Sequence, residues 1–154
     1  MSRKIIKDNL IFENVNITFK NFSGVERPPY NAKGQRNFAV VIEDEDFARE
    51  LKKEGWNVKW SDPKEDGTTY APHLQVKVAF DDEEPWKNPR IMMEQAGNKV
   101  YLDENTVSQL DDLEVVNVKA MEIRPYNYDT GKMQGVTAYL KKMRVEVARD
   151  MFCD

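Results

Sequence analysis

The chain has 154 residues, with 27 acidic against 23 basic side chains for a formal net charge of −4. This length suits one domain, expected over 1–154 with loosely held ends at 1–8 and 149–154, and it supports a core without metal or disulfide staples. The only cysteine, Cys153, excludes a disulfide framework, and no apolar run reaches signal-peptide or membrane-span length, so a soluble cytoplasmic protein with no membrane partner is expected.

Asn9 to Phe19 alternates through Leu10, Phe12, Val15, Ile17 and Phe19 and predicts a first strand, with an irregularity at Glu13-Asn14. Asn21 to Gly34 is a long loop, and Gln35 to Ile42 is a second strand whose buried face is Phe38, Val40 and Ile42. Glu43 or Asp44 caps a helix over Glu45 to Glu54, which Gly55 stops; acids at its start and Lys52-Lys53 at its end suit the helix dipole. Trp56 to Trp60 predicts a short strand with Trp56, Val58 and Trp60 facing the core, Ser61 to Pro72 a loop, and Leu74 to Phe80 a strand. Short strands at Ile91-Met93 and Lys99-Tyr101 flank a Gly97-Asn98 turn, and Asp103 caps a short helix running to Leu110.

Val115 to Val147 predicts a long hairpin. Its alternation slips near Ala120 and again at Lys141-Lys142, as β-bulges in a bent ribbon would produce. The connection, Pro125 to Gly135, reads as a loop carrying Tyr126, Tyr128 and Lys132 beyond the sheet. The predicted fold is mostly β: a small antiparallel barrel of the oligonucleotide-binding (OB) type with one or two short helices and long loops. A β-sandwich is the alternative, and the helix at Glu45 is an insertion in either.

Catalytic signatures are absent from the sequence. No Gly-rich phosphate loop, GxSxG or HExxH occurs, and the single histidine, His73, lacks a sequence-local nucleophile or metal partner. No enzyme activity, cofactor or metal is therefore expected; Glu50-Leu51-Lys52, the one nuclease-like pattern, falls mid-helix as surface charge.

Charge is segregated. Acid gathers at Glu43 to Asp46, Asp81 to Glu84 and Asp103 to Glu114, whereas the segment from Lys20 to Arg36 and the hairpin are basic. Cations beside exposed aromatics suit single-stranded nucleic acid, because phosphates pair with the former and bases stack on the latter. The candidate contacts are Tyr30, Lys33 and Arg36 in the first basic segment, Lys59 and Lys77 on neighbouring strands, and Lys119, Arg124, Tyr126, Tyr128, Lys132, Tyr139, Lys141 and Arg144 in the hairpin. Trp86 is a further stacking candidate. The alternative is a protein-interaction module whose acidic clusters imitate DNA to inhibit a host protein.

Phe12 and Asn14, Phe22-Ser23-Gly24, Asn31 with Gly34-Gln35-Arg36-Asn37-Phe38, Gly55-Trp56-Asn57-Val58-Lys59, Leu74-Gln75-Val76-Lys77-Val78, Arg124-Pro125-Tyr126 and Gly135-Val136-Thr137-Ala138-Tyr139-Leu140-Lys141 together resemble a family of bacteriophage-encoded single-stranded DNA-binding proteins with an OB fold. The resemblance runs from Asn9 to Val147. It implies sequence-independent protection of single-stranded DNA in phage replication or recombination, in the cytoplasm of a bacterial host. Phage or host replication and recombination proteins, and further copies of the chain, are the other implied partners. Related proteins often carry a flexible acidic tail for recruitment, whereas Ala148 to Asp154 has two acids, one arginine and an apolar Met-Phe pair.

Overall fold

The computed structural model describes residues 6–26, 33–60, 65, 67, 71–81 and 83–148. Along these residues run β1 (Leu10–Val15), β2 (Ile17–Asn21), β3 (Arg36–Val41), α1 (Glu45–Glu54), β4 (Val58–Lys59), β5 (His73–Val78), β6 (Arg90–Gln95), β7 (Asn98–Leu102), α2 (Gln109–Asp112), β8 (Val115–Asp129) and β9 (Gln134–Val147). A short 3-10 turn, Pro85–Lys87, separates β5 from β6. The chain is mostly β, as the alternating patterns require.

The strands hydrogen-bond in the order β1-β8-β9-β5-β3-β2, while β4 pairs with β5 and the β6–β7 hairpin joins through β9. The two ends of that path, β1 and β2, are separated in sequence by Asn16 alone. The expectation of a purely antiparallel sheet is corrected, because β5 and β6 both run parallel to β9, with Val76 opposite Ala138 and Ile91 opposite Met143. Both join β9 through long intervening chain, which is what parallel pairing requires and a tight hairpin cannot supply.

The β8–β9 hairpin is longer than its turn chemistry suggests. Its connection shrinks to Thr130–Met133, closed by a Thr130 N–H to Met133 carbonyl bond of 2.9 Å and by Asp129 Oδ1 accepting from the Gly131 N–H at 2.9 Å. Tyr126 and Tyr128, expected in a loop, are strand residues opposite Thr137 and Gly135, since aromatic side chains stabilise a ladder through cross-strand packing. The Tyr128 ring covers Gly135 so closely that a Cβ there would overlap it. Both expected bulges are present. Val118 and Ala120 oppose the consecutive Val145 and Arg144, leaving Lys119 extra; Glu122 and Ile123 oppose Lys142 and Leu140, leaving Lys141 extra.

The first predicted strand is interrupted once, at Asn16, and is irregular at two further points. Asn14 and Phe19 both adopt φ 52°. Asn14 lies in the irregularity expected at Glu13-Asn14. At Phe19 the β2–β3 register slips between Thr18 and Asn21, and the ring, expected inside, turns outward to 60% exposure against His73. Helix α1 forms as predicted: Asp44 Oδ1 accepts from the Asp46 and Phe47 N–H groups, and Gly55 at φ 108° ends it. Asp103 Oδ1 accepts from the Asn105 and Thr106 N–H groups as a cap, but the helical turn itself comes later, at Gln109–Asp112.

Phe22, Phe38, Leu51, Leu74, Ile91, Leu110 and Ile123 are fully buried in the core, with Phe22 stacked on Phe38 at 5.3 Å. Trp56 and Val58 join them, whereas Trp60 lies beyond the two-residue β4 and stays 38% exposed, with the Lys52 ammonium 5.7 Å from its ring centre. Helix α2 staples the end of β2. The Asp111 carboxylate accepts from the Phe22 and Ser23 N–H groups, both at 2.8 Å, and the Lys20 ammonium donates to the Leu110 and Leu113 carbonyls, also at 2.8 Å. The following loop is pinched at its base where the Gly34 N–H donates to the Gly24 carbonyl at 2.8 Å.

Gly135→Ala is expected to destabilise the protein by ~1–3 kcal/mol in urea unfolding, the usual cost of overpacking. The same substitution made on a Tyr128→Ala background should cost little, because the ring that the new methyl would strike is gone; equal costs on both backgrounds would refute the packing argument.

Candidate nucleic-acid interface

Register assembles the site. Asn37 lies opposite Lys77, Lys77 opposite Tyr139, and Tyr139 opposite Arg124, so one row crosses β3, β5, β9 and β8 on the same sheet face. Lys77 and Arg124 are exposed and Tyr139 is half-buried. The Arg124 guanidinium carbon sits 5.1 Å from the Tyr139 ring centre, and Tyr126, two residues along β8, meets the same ring edge-on at 6.0 Å and 82°. Tyr139 thus supports the guanidinium and the second tyrosine, and these present the outer surfaces.

The opposing wall comes from the segment before β6. Asp81 Oδ1 accepts from the Glu83 and Glu84 N–H groups, and Asn88 Oδ1 accepts from the Asp81 N–H, which holds the 3-10 turn. On that turn Trp86 is 75% exposed, with no packing role to account for it, and Lys87 and Arg90 follow. Between the walls lies an open cleft of about 550 Å³, completed by Lys141 and Lys142.

Charge balance within the cleft favours an anion. Lys87 pairs with Glu84, and Lys141 pairs with Glu122 at 3.4 Å. A hydrogen bond from Asn9, and then one from Lys141, holds the Glu122 carboxyl below the usual carboxylate range. Among the described residues Arg90, Arg124 and Lys142 form no ion pair, so their charge is available to a ligand.

Other candidates from the sequence have different surroundings. Lys119 lies between Glu94 at 3.3 Å and Glu146 at 3.1 Å, and Arg144 reaches Glu94 at 3.5 Å. The Lys119 hydrogen bond, reinforced by the Arg144 charge, holds the Glu94 carboxyl below its usual range, and hydrogen bonds to Glu146 and Glu94 raise the Lys119 ammonium. Arg36 is drawn inward: its Nε donates to the Phe22 carbonyl at 2.9 Å, Glu104 lies 3.8 Å away and the Phe80 ring centre 5.5 Å away. It closes the loop base from the inside. Lys33, Lys59 and Lys132 are exposed but do not line the cleft, and Tyr128 is held over Gly135. Tyr30 lies outside the described residues. His73, next to Lys59 on the β4–β5 ladder, is kept below its usual pKa by burial and then by the Lys59 charge. Lys87 and Arg90, which line the cleft, are not among the candidates from the sequence, and Lys142 enters there only as the alternative to Lys141; the Pro85-Trp86-Lys87 triplet is the available signal.

Among the described residues no group of three His, Cys, Asp or Glu side chains could hold a metal ion, and no helix is long and apolar enough to cross a membrane. A family model described as "Putative phage ssDNA-binding domain" matches residues 1–153. The chain belongs to this family. No curated protein sequence matches the chain significantly. Among solved structures, this member of the phage family is similar to the single-stranded DNA-binding protein from bacteriophage Enc34 in complex with ssDNA, with a TM-score of 0.57 and 8% identity over 94% of this chain and 89% of the other. A C-terminally truncated form of the Enc34 protein gives a TM-score of 0.56 and 8% identity over 96% of this chain and 97% of that one. At such identity the likeness is one of fold.

The network around Glu94 has a pH signature. A carboxyl depressed in the folded state contributes stability above the usual carboxylate range and loses it as pH falls through the depressed value. Melting temperatures followed from about pH 6 to pH 3 should therefore fall more steeply for wild type than for Glu94→Gln; parallel curves would show that the network adds no pH-dependent stability.

Proposed function

We propose that this protein binds single-stranded DNA without sequence preference and without chemistry, as a coating protein in phage DNA replication or recombination in the host cytoplasm. The observation that carries this reading is the cleft itself: exposed Trp86 and Tyr126 both line a site in which, among the described residues, Arg90, Arg124 and Lys142 form no ion pair. Stacking and phosphate pairing act together there, and neither reads base identity. The family membership supports the same ligand, as does the Enc34 relative described in complex with ssDNA.

The OB-type barrel belongs to this proposal. Counting β1 and β2 as two halves of one strand bent at Asn16, the path β2-β3-β5-β9-β8-β1 becomes a ring of five strands that closes through the chain itself. The hydrogen bond from the Val41 N–H to the Asn16 carbonyl, at 2.9 Å, supports that joint. Residues 1–154 then act as one domain, with Lys77 extending the cleft across the sheet and Lys33, Lys59 and Lys132 as peripheral phosphate contacts.

The acidic clusters that would serve a DNA mimic have local work. Asp81 and Asp103 cap turns, Asp111 anchors the Phe22 backbone, and Glu104 faces Arg36.

Fluorescence anisotropy with labelled oligothymidine should show saturable binding at low salt, with a log–log salt slope that is shallower by ~0.7 for each of Arg124 and Lys142 changed to glutamine. Trp86→Ala should cost ~1–3 kcal/mol of affinity with the melting temperature unchanged. Absence of saturable binding by wild type at low salt would overturn the reading.

A further inference from the structure

Beyond the cleft, the same sheet face continues into a second groove. Arg90 lies opposite Lys142, Lys142 opposite Glu122, and Glu122 opposite Ile11; in the next outward row Tyr101 lies opposite Met92, Met92 opposite Arg144, and Arg144 opposite Ala120. Those rows carry a groove of about 340 Å³ in which Met92 and Ala120 supply the apolar surface between the strands. Ile11 at 63% exposure and Tyr101 at 69% stand on its two sides. Isoleucine and tyrosine this exposed gain little from burial where they stand, and together with Met92 they make an apolar surface.

We propose that this groove is a second base-binding subsite, in which the DNA strand leaving the Trp86 cleft lays bases on Tyr101, Met92 and Ile11. The inference rests on the proposed function. Continuity is its first support, because Arg90 and Lys142 line both the cleft and the groove and so place cations at the crossing point between them. Charge is the second. Arg90, Lys142 and Arg144 surround the groove, and its one carboxylate, Glu122, is already bonded to Asn9 and Lys141. Arg144 is half engaged: one terminal nitrogen faces Glu94 at 3.5 Å, and its buried Nε has no hydrogen-bond partner. A rim of cations above an apolar, aromatic floor suits a base and its flanking phosphates, and it disfavours a basic or purely aliphatic protein segment. The sheet geometry fits a continuous track, since Tyr139 in the cleft and Arg144 at the groove lie opposite Arg124 and Ala120, four residues apart on β8, roughly 13 Å at strand rise.

The test compares two oligothymidines, one of about four nucleotides that fills only the cleft and one of about twelve that spans both, lengths bracketing the site sizes of single OB folds. Tyr101→Ala and Ile11→Ser, both at exposed positions, are assayed beside Trp86→Ala, with melting temperatures as the folding control. The inference expects the Tyr101 and Ile11 variants to bind the long oligomer about tenfold more weakly and the short one as wild type does, whereas Trp86→Ala weakens both. Wild-type affinity of the Tyr101 and Ile11 variants for the long oligomer overturns the subsite and leaves the cleft reading intact. Unchanged DNA affinity with a shift in sedimentation towards monomer would assign the groove to a second copy of the chain and likewise overturn the inference. If wild type binds neither oligomer, the functional reading itself falls.

Discussion

The β8–β9 ladder is the constraint on which the rest of the molecule depends. Strands of 15 and 14 residues are unusually long, and between them they supply the partners of β1, β5 and β6. Three register shifts, two in β8 and one in β9, make this reach possible. Each extra residue increases local twist and shifts the phase by one, so Val118, Met121 and Ile123 in one arm and Leu140, Met143 and Val145 in the other all stay buried while the ribbon bends. Without the phase shifts, half of each arm would turn its apolar residues to solvent.

The bulges also sort the basic side chains. Lys119, extra in β8, is held between two carboxylates, and Lys141, extra in β9, lies beside the cleft. Residues that the alternation alone marks as equivalent outward cations therefore divide into a paired network around Glu94 and a set around the cleft, where Lys141 pairs with Glu122 and Arg124 forms no ion pair among the described residues. An acidic protein can in this way present a cationic surface: many of its carboxylates are spent on capping and pairing, and proximity rather than net charge governs what a phosphate meets.

Period-two alternation made most of the fold legible, since burial on one face is a local property of a strand. It located two of the three register shifts, because a phase slip in Val118-Ala120-Met121 is visible in one dimension, and it found α1 through its Asp44 cap and Gly55 stop. What it could not show was partnership between distant segments. The parallel pairing of β6 with β9 joins residues about fifty apart, and nothing in Ile91-Met92-Met93 names Met143 as the neighbour of Ile91. Arg36 illustrates the same limit at the site. By sequence it is a cation next to a glycine loop; only the fold brings the Phe22 carbonyl, Glu104 and Phe80 around it. Phe19 failed for a different reason, because a left-handed backbone at a phenylalanine runs against local steric preference and depends on the surrounding sheet to hold it. Tyr126, Tyr139 and Trp86 were legible as candidate stacking residues, whereas the place of Lys87, Arg90 and Lys142 in the same cleft depends on how the segment around β6 folds against β9.

The Gly24–Gly34 joint bears on how this fold tolerates change. The two backbones approach so closely that a Cβ on Gly24 would come within 3.2 Å of the Gly34 Cα, and their hydrogen bond ties off the loop before β3 begins. Chain length between the two glycines is thereby uncoupled from the register of β2 on β3. Lengthening such a tied segment costs only in proportion to the logarithm of its size, about 0.6 kcal/mol for each doubling. The pairing of β2 with β3 is therefore set by the glycine joint and the strands themselves, and the number of residues between the two glycines is a separate variable.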